Sequence, residues 1–223
     1  MVGCHVPDEP YSQELFPSLD YTISFHVGVT LRIMSRARPG VEPMEEALLA
    51  AAWRKWQQAA EALDEAEEPE DFQAVGMRCR EALVAMVRKL GKPDTVQNGT
   101  TMPKRSDVPA WADLIANHVA HGSGAKTVRH YMKTVAKSCW ELVSWLTHAS
   151  SATKADAVLA LEATHHALEA FSTAVFRQLH GIPDRCPSCG SYQIGLRGKL
   201  DGDGSDAVPG CRACGWADRS PTR

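Results

Sequence analysis

The chain has 223 residues, 44% of them hydrophobic and 23% charged, with a formal net charge of −3. This composition excludes a charge-extended disordered chain and a strongly basic nucleic-acid-coating protein. No run of residues has the apolar length of a membrane span, and Met1 to Tyr11 lack the apolar core of a signal peptide. The expectation is a cytoplasmic chain without a membrane partner, whose seven cysteines serve a metal rather than disulfides.

The first patterned segment is Tyr21 to Ile33. Tyr21, Ile23, Phe25, Val27, Val29, Leu31 and Ile33 alternate with polar or small residues, which predicts a half-buried β-strand within an N-terminal extension, residues 1–42. A strand must pair its backbone groups. The candidate partners are the C-terminal module, a hairpin bend near Gly28, or a second copy of the chain.

From residue 43 the period changes to helical. Leu48, Ala52, Trp56, Ala59 and Leu63 form one stripe, and Phe72, Val75, Cys79, Leu83, Met86 and Leu90 form another after the interruption at Pro69. Gly91 and Pro93 are stop signals, and residues 91–107 read as a loop. A short helix is expected from Val108 to His121. Two long helices follow. One is capped at Ser123 with a seam of Val128, Met132, Val135, Cys139, Leu142 and Leu146. The other is capped at Thr153, carries Ala157, Leu161, Leu168, Phe171 and Val175, and ends at Gly181-Ile182-Pro183. The short link Ala149 to Ala152 makes these two antiparallel neighbours. The fold expected is mainly α: an antiparallel helical bundle over residues 43–181, with four long helices and one short one.

Residues 182–223 form a separate module. Cys186-Pro187-Ser188-Cys189-Gly190 and Cys211-Arg212-Ala213-Cys214-Gly215 are two CxxCG knuckles. Each turns two thiolates toward one ion, and four thiolates close a tetrahedron with no open position. That chemistry predicts one structural Zn2+ held by Cys186, Cys189, Cys211 and Cys214. The pattern resembles the zinc-ribbon family over residues 184–218, with strands expected at Tyr192 to Leu196 and around Trp216. The apolar residues Ile194, Leu196, Leu200, Val208 and Trp216 are too few for a core, so metal binding must supply the folding energy, about 10–16 kcal/mol in zinc-finger peptides. The stretch Asp201 to Asp206 looks superficially like a calcium loop. It lacks the distal glutamate and flanking helices of an EF-hand and reads as a ribbon tip.

Charge is unevenly distributed. Residues 42–81 hold eleven acidic and four basic side chains, whereas residues 88–137 hold nine basic and three acidic. Lys126, Arg129, Lys133 and Lys137 recur every three or four positions, with Lys104 and Arg105 in the preceding loop. Such a line either tracks a phosphate backbone or is a solvated face complementing the acidic hairpin. Trp53 and Trp56, one turn apart, read as core and flank. His165 reads as a partly buried core residue, His166 as an exposed partner of Glu162 or Glu169. His118 and His121 serve the end of their helix, and Cys79 and Cys139 are small buried hydrophobes. A second metal site from His148, His165 and His166 is the lesser alternative to these structural readings. Cys4 and His5 suggest nothing specific.

The segment Cys139 to Ala149 followed by Ala155 to Phe176, together with Phe72 to Leu90 around Met77-Arg78-Cys79-Arg80, resembles the HEPN superfamily, particularly its abortive-infection type. The resemblance covers roughly residues 44–180. It implies a helical bundle that dimerises, with RNA-cleaving and non-catalytic RNA- or partner-binding members, in prokaryotic conflict systems. Catalytic members carry Arg-x(4–6)-His between the last two helices. Here His148 stands near that place, preceded by Trp145, Leu146 and Thr147, and the chain contains no Arg-x(4–6)-His. RNA cleavage needs proton transfer and a cation for the developing phosphorane charge. His148 supplies only the first. The reading is therefore a zinc-ribbon protein that binds RNA or a partner protein through Lys104, Arg105, Lys126, Arg129, Lys133 and Lys137, as a homodimer. The alternatives are a metal-independent endoribonuclease using His148 and a structural adaptor without nucleic-acid binding.

Overall fold

The computed structural model describes residues 47–96, 101–197 and 208–218. The chain divides into two units, Met1–Gly40 and Val41–Arg223, and all described residues belong to the second. The strand expected at Tyr21 to Ile33, the Cys4-His5 pair and the Asp201 to Asp206 tip lie outside the described residues.

The described part is mainly helical. Five helices, α1 (Ala50–Asp64), α2 (Pro69–Leu90), α3 (Val108–Val119), α4 (Lys126–Leu146) and α5 (Lys154–Leu179), precede a two-stranded sheet of β1 (Ile194–Arg197) and β2 (Val208–Cys211). Local chemistry sets the helix boundaries. Pro69 occupies the first turn of α2, where its missing N–H costs nothing, and Glu68 and Asp71 form a reciprocal capping box. Thr153 and Asp156 form the same device at α5, and Asp107 accepts from the Ala110 amide at α3. The N-cap position of α4 falls at Ala125 and not at Ser123. Residues Ser123–Ala125 form a 3-10 turn, and α4 starts from Ala125 without a side-chain cap.

Packing follows the apolar stripes. α2 and α5 each touch the other four helices. Along α2 and α4, Gln73 reaches the Ala149 carbonyl, Gly76 faces Leu146 and Arg80 lies over Trp140, so the two run in opposite directions. α1 opposes α5 in the same way: Trp53 meets His165, and the Trp56 Nε1–H donates to the Leu161 carbonyl. Phe72, Val75, Cys79, Leu83, Met86 and Leu90 are all buried, as are Ala157, Leu161, Leu168 and Phe171. Each large apolar side chain removed from water contributes about 1.5–3 kcal/mol.

Two details differ from the periodic reading. Val128 is 53% exposed, because it sits at the start of α4, and Met132 is the first residue of its buried face. Ala136 and Val143 complete that face, with Val135 and Leu142 only half-buried at its edge. In α1 the buried indole is Trp53, and Trp56 is the half-buried flank.

The sheet also differs in place. β1 pairs antiparallel with β2, Ile194 opposite Cys211, so the second strand precedes its knuckle instead of lying around Trp216. The Cys211 N–H donates to the Trp216 carbonyl at 2.7 Å and curls the chain back, leaving only a bridge from Gly210 to Ala217.

Candidate metal centre and charged surfaces

The two knuckles are built alike. In the first, the Cys186 amide donates to the Ser191 carbonyl at 2.8 Å and the Gly190 amide to the Cys186 carbonyl at 2.8 Å. In the second, the Cys211 amide donates to Trp216 and the Gly215 amide to the Cys211 carbonyl at 3.1 Å. The turn requires left-handed backbone after the second cysteine of each knuckle, which glycine adopts without strain: φ is 72° at Gly190 and 78° at Gly215.

These turns, joined by the sheet, bring the four sulfurs within 4.8 Å of one another. Cys186 Sγ lies 3.6 Å from Cys214 Sγ, and Cys189 Sγ lies 3.7 Å from Cys211 Sγ. A disulfide needs about 2.05 Å. A tetrahedron with metal–sulfur bonds of about 2.3 Å has edges of about 3.8 Å. The observed separations match the second geometry, so the four cysteines could hold a metal ion. Cys186 and Cys211 are buried, Cys189 and Cys214 exposed. The amides of Cys214 and Ala213 lower the Cys211 thiol, while the crowded sulfurs of Cys214, Cys186 and Cys211 raise Cys189, as expected of thiols gathered at one site. The Arg197 guanidinium donates to the Cys211 carbonyl at 3.3 Å, close to where four thiolates and a dication leave negative charge. Arg177 at the end of α5 reaches the Pro183 carbonyl and the Asp184 carboxylate, tying the helix to the chain that enters the first knuckle.

Cys79 and Cys139 are of the other kind. Burial pushes their thiols up to about 12 and about 11, and Cys139 Sγ lies 3.6 Å from the Thr164 hydroxyl in the core. They are inert packing residues.

The basic line on α4 is largely committed within the fold. The Arg129 guanidinium donates to the Gly122 carbonyl at 2.7 Å and to the Ala120 carbonyl, satisfying acceptors at the end of α3. Lys133 pairs with Asp113 of α3 at 2.6 Å, and Lys137 stands 3.9 Å from Glu141. Lys126, Lys104 and Arg105 are exposed. Arg105 shares a cleft with Arg88 of α2.

His148 is exposed in the turn between α4 and α5, and among the described residues its imidazole has no hydrogen-bond or ion-pair partner. His165 packs between Trp53 and Trp56, with ring centroids 5.2 and 4.7 Å away, and its Nδ1 lies 3.5 Å from Glu169. Glu169 thus belongs to His165. His166 instead meets the Tyr131 hydroxyl, 2.6 Å from its Nε2. Among the described residues, the four cysteines are the one group of metal-binding side chains held close enough to share an ion, so the three histidines do not form a second such group.

No described helix is long and apolar enough to cross a membrane. No protein-family model matches the chain, and no curated protein or solved structure does either.

Proposed function

We propose that this chain is a zinc-binding, non-catalytic interaction protein that engages a partner protein. In this reading an antiparallel, HEPN-like helical bundle serves as scaffold for a C-terminal zinc ribbon. The observation that carries it is the four-sulfur cluster, whose spacing suits a closed Cys4 tetrahedron. A closed tetrahedron leaves no position for substrate or water, so the ion's role is structural. Zinc suits four thiolates because it is borderline-soft, redox-inert and content with tetrahedral geometry.

The choice of protein over RNA rests on the α4 line. Arg129 donates to carbonyls at the end of α3 and Lys133 pairs with Asp113, so the donors of these two side chains are directed at protein groups and do not form an open phosphate-tracking line. The ribonuclease alternative assigns proton transfer to His148, but the chain has no Arg-x(4–6)-His to supply the cation, and among the described residues His148 has no ion-pair partner.

Elemental analysis of the purified full-length chain should find about one zinc per chain. Incubation with single-stranded and structured RNAs should leave them intact, with His148→Ala indistinguishable from the parent. RNA cleavage lost in His148→Ala would overturn the non-catalytic reading, and a folded, metal-free C-terminal module would overturn the zinc ribbon.

A further inference from the structure

The C-terminal half of α2 borders two clefts. One, of about 650 Å3, lies between α1 and α2 over a floor that includes Val84 and Ala85, with Lys55, Arg80, Arg88 and Lys89 around it. The other, of about 510 Å3, lies where the end of α2 faces Met102, Pro103, Arg105 and Trp111. Arg88 lines both, so the two clefts adjoin at its side chain. Residues remote in sequence are gathered here, and no spacing rule foretells the group.

The cations are unequally engaged. Lys55 pairs with Glu81, and Arg80 lies 5.2 Å from the centroid of the Trp140 ring. Arg88, Lys89 and Arg105 are exposed and have no ion-pair partner among the described residues. Arg88 and Lys89 stand in the last turn of α2, where they answer the helix dipole. That explanation does not extend to Arg105, which comes from the loop before α3.

We propose that this double cleft docks a short acidic peptide with apolar anchors, displayed by a protein partner. This rests on the reading of the chain as a protein-binding molecule. The positive rim complements carboxylates, which arginine engages through two parallel N–H bonds. The floor is apolar and Met102 is 54% exposed, which suits aliphatic or aromatic anchors between the carboxylates. A single-stranded nucleic acid fits less well. Trp111 is only 6% exposed and its Nε1–H is already given to the Lys104 carbonyl, so no ring is offered for base stacking.

The test is fluorescence anisotropy with the zinc-loaded full-length chain. The probes are a labelled peptide of about 15 residues alternating Asp or Glu with Leu and Phe, the same peptide with Asn and Gln in place of the acids, and an oligo-uridine of matching length. The acidic peptide should bind at least about tenfold more tightly than its amide counterpart and weaken with salt. Arg88→Glu combined with Arg105→Glu should lower that affinity about tenfold or more, and Arg88→Gln with Arg105→Gln should lower it less. Circular dichroism and zinc content should be unchanged in both variants. Equal binding of acidic and amide peptides, no binding of either, or affinity insensitive to the double variants overturns the proposal. So does oligo-uridine binding more tightly through the same two arginines. RNA cleavage dependent on His148 sinks the functional reading instead, because it leaves the peptide measurement intact.

Discussion

Gly91 and Trp111 are in contact where α2 ends: a Cβ built on Gly91 would stand 2.6 Å from the indole Cε3 and 2.7 Å from the Val87 carbonyl. The Gly91 backbone has φ −75°, which alanine adopts freely, so the requirement for glycine is steric and not conformational. Trp111 is pinned by its bond to the Lys104 carbonyl and cannot retreat without losing it. Gly91→Ala should destabilise the helical part by about 1–3 kcal/mol, read as a lower midpoint in urea with an unchanged slope.

Removing the proposed zinc ion should separate the behaviour of the helices from that of the cysteine module. Cys211→Ser, or a strong chelator, is expected to abolish metal binding and the β1–β2 pairing while far-UV ellipticity at the helical minima stays nearly constant. The physical reason is that the helices share a continuous core, whereas the strands offer only Ile194, Leu196 and Val208. Amide exchange over residues 186–197 and 208–217 provides the readout, and persistent protection there after metal loss would contradict the expectation.

The cap at α5 supplies a pH dependence of known sign. The Thr153 hydroxyl, and then its backbone N–H, lower the Asp156 carboxyl below its ordinary value of 3.8. A carboxylate lowered by folding stabilises the native state above its unfolded value, and that contribution is lost as pH falls through the folded value. Asp71, held low by the Glu68 and Glu67 amides, acts in the same direction. Thr153→Ala should cost about 1 kcal/mol at neutral pH and flatten the acid limb of the stability profile.

At the alkaline end the buried thiols contribute. Cys79 and Cys139 rise to about 12 and about 11 in the fold from an ordinary value of 9.0. A raised value means that the unfolded chain loses its protons first. The stabilisation is therefore complete below about 9 and is lost as pH climbs toward 11 and 12. Cys79→Ala with Cys139→Ala should make alkaline unfolding shallower across that window, while a thiol reagent at neutral pH leaves both cysteines unmodified in the folded parent.

The ion pair between Lys133 and Asp113 should be nearly silent energetically, since the two side chains are 31% and 50% exposed. A double-mutant cycle of Lys133→Ala and Asp113→Ala is expected to give a coupling of about 0.2–1 kcal/mol, shrinking in salt. The pair directs Lys133 toward α3, and Asp113→Ala releases it. If the freed lysine then retains RNA on the chain, the pair was masking a phosphate contact.

Much of the helical pattern is readable in the residues, because burial of one face imposes its own period. The α2 series from Phe72 to Leu90 and the α5 series from Ala157 to Phe171 are buried where the spacing places them. The four cysteines are equally legible, since CxxCG encodes its turn locally. What periodicity cannot report is the partner. Arg129 reads as one cation in a line until the end of α3 is seen beneath it. Glu169 lies three residues from His166 and four from His165, and only the tryptophans of α1 decide which it meets. The meeting of Arg88 with Arg105 depends on how the loop before α3 returns to α2, and nothing within either segment fixes that.

The likeness of the two knuckles has a thermodynamic meaning. Each carries two of the four sulfurs and adjoins one of the paired strands, so in the proposed zinc-bound form neither half is a competent site alone, and ion capture and strand pairing should occur as one event. On that proposal the order of residues 186–197 and 208–217 would follow the supply of the ion as well as the sequence, and scarcity would dissolve those turns and strands while the helices carry on.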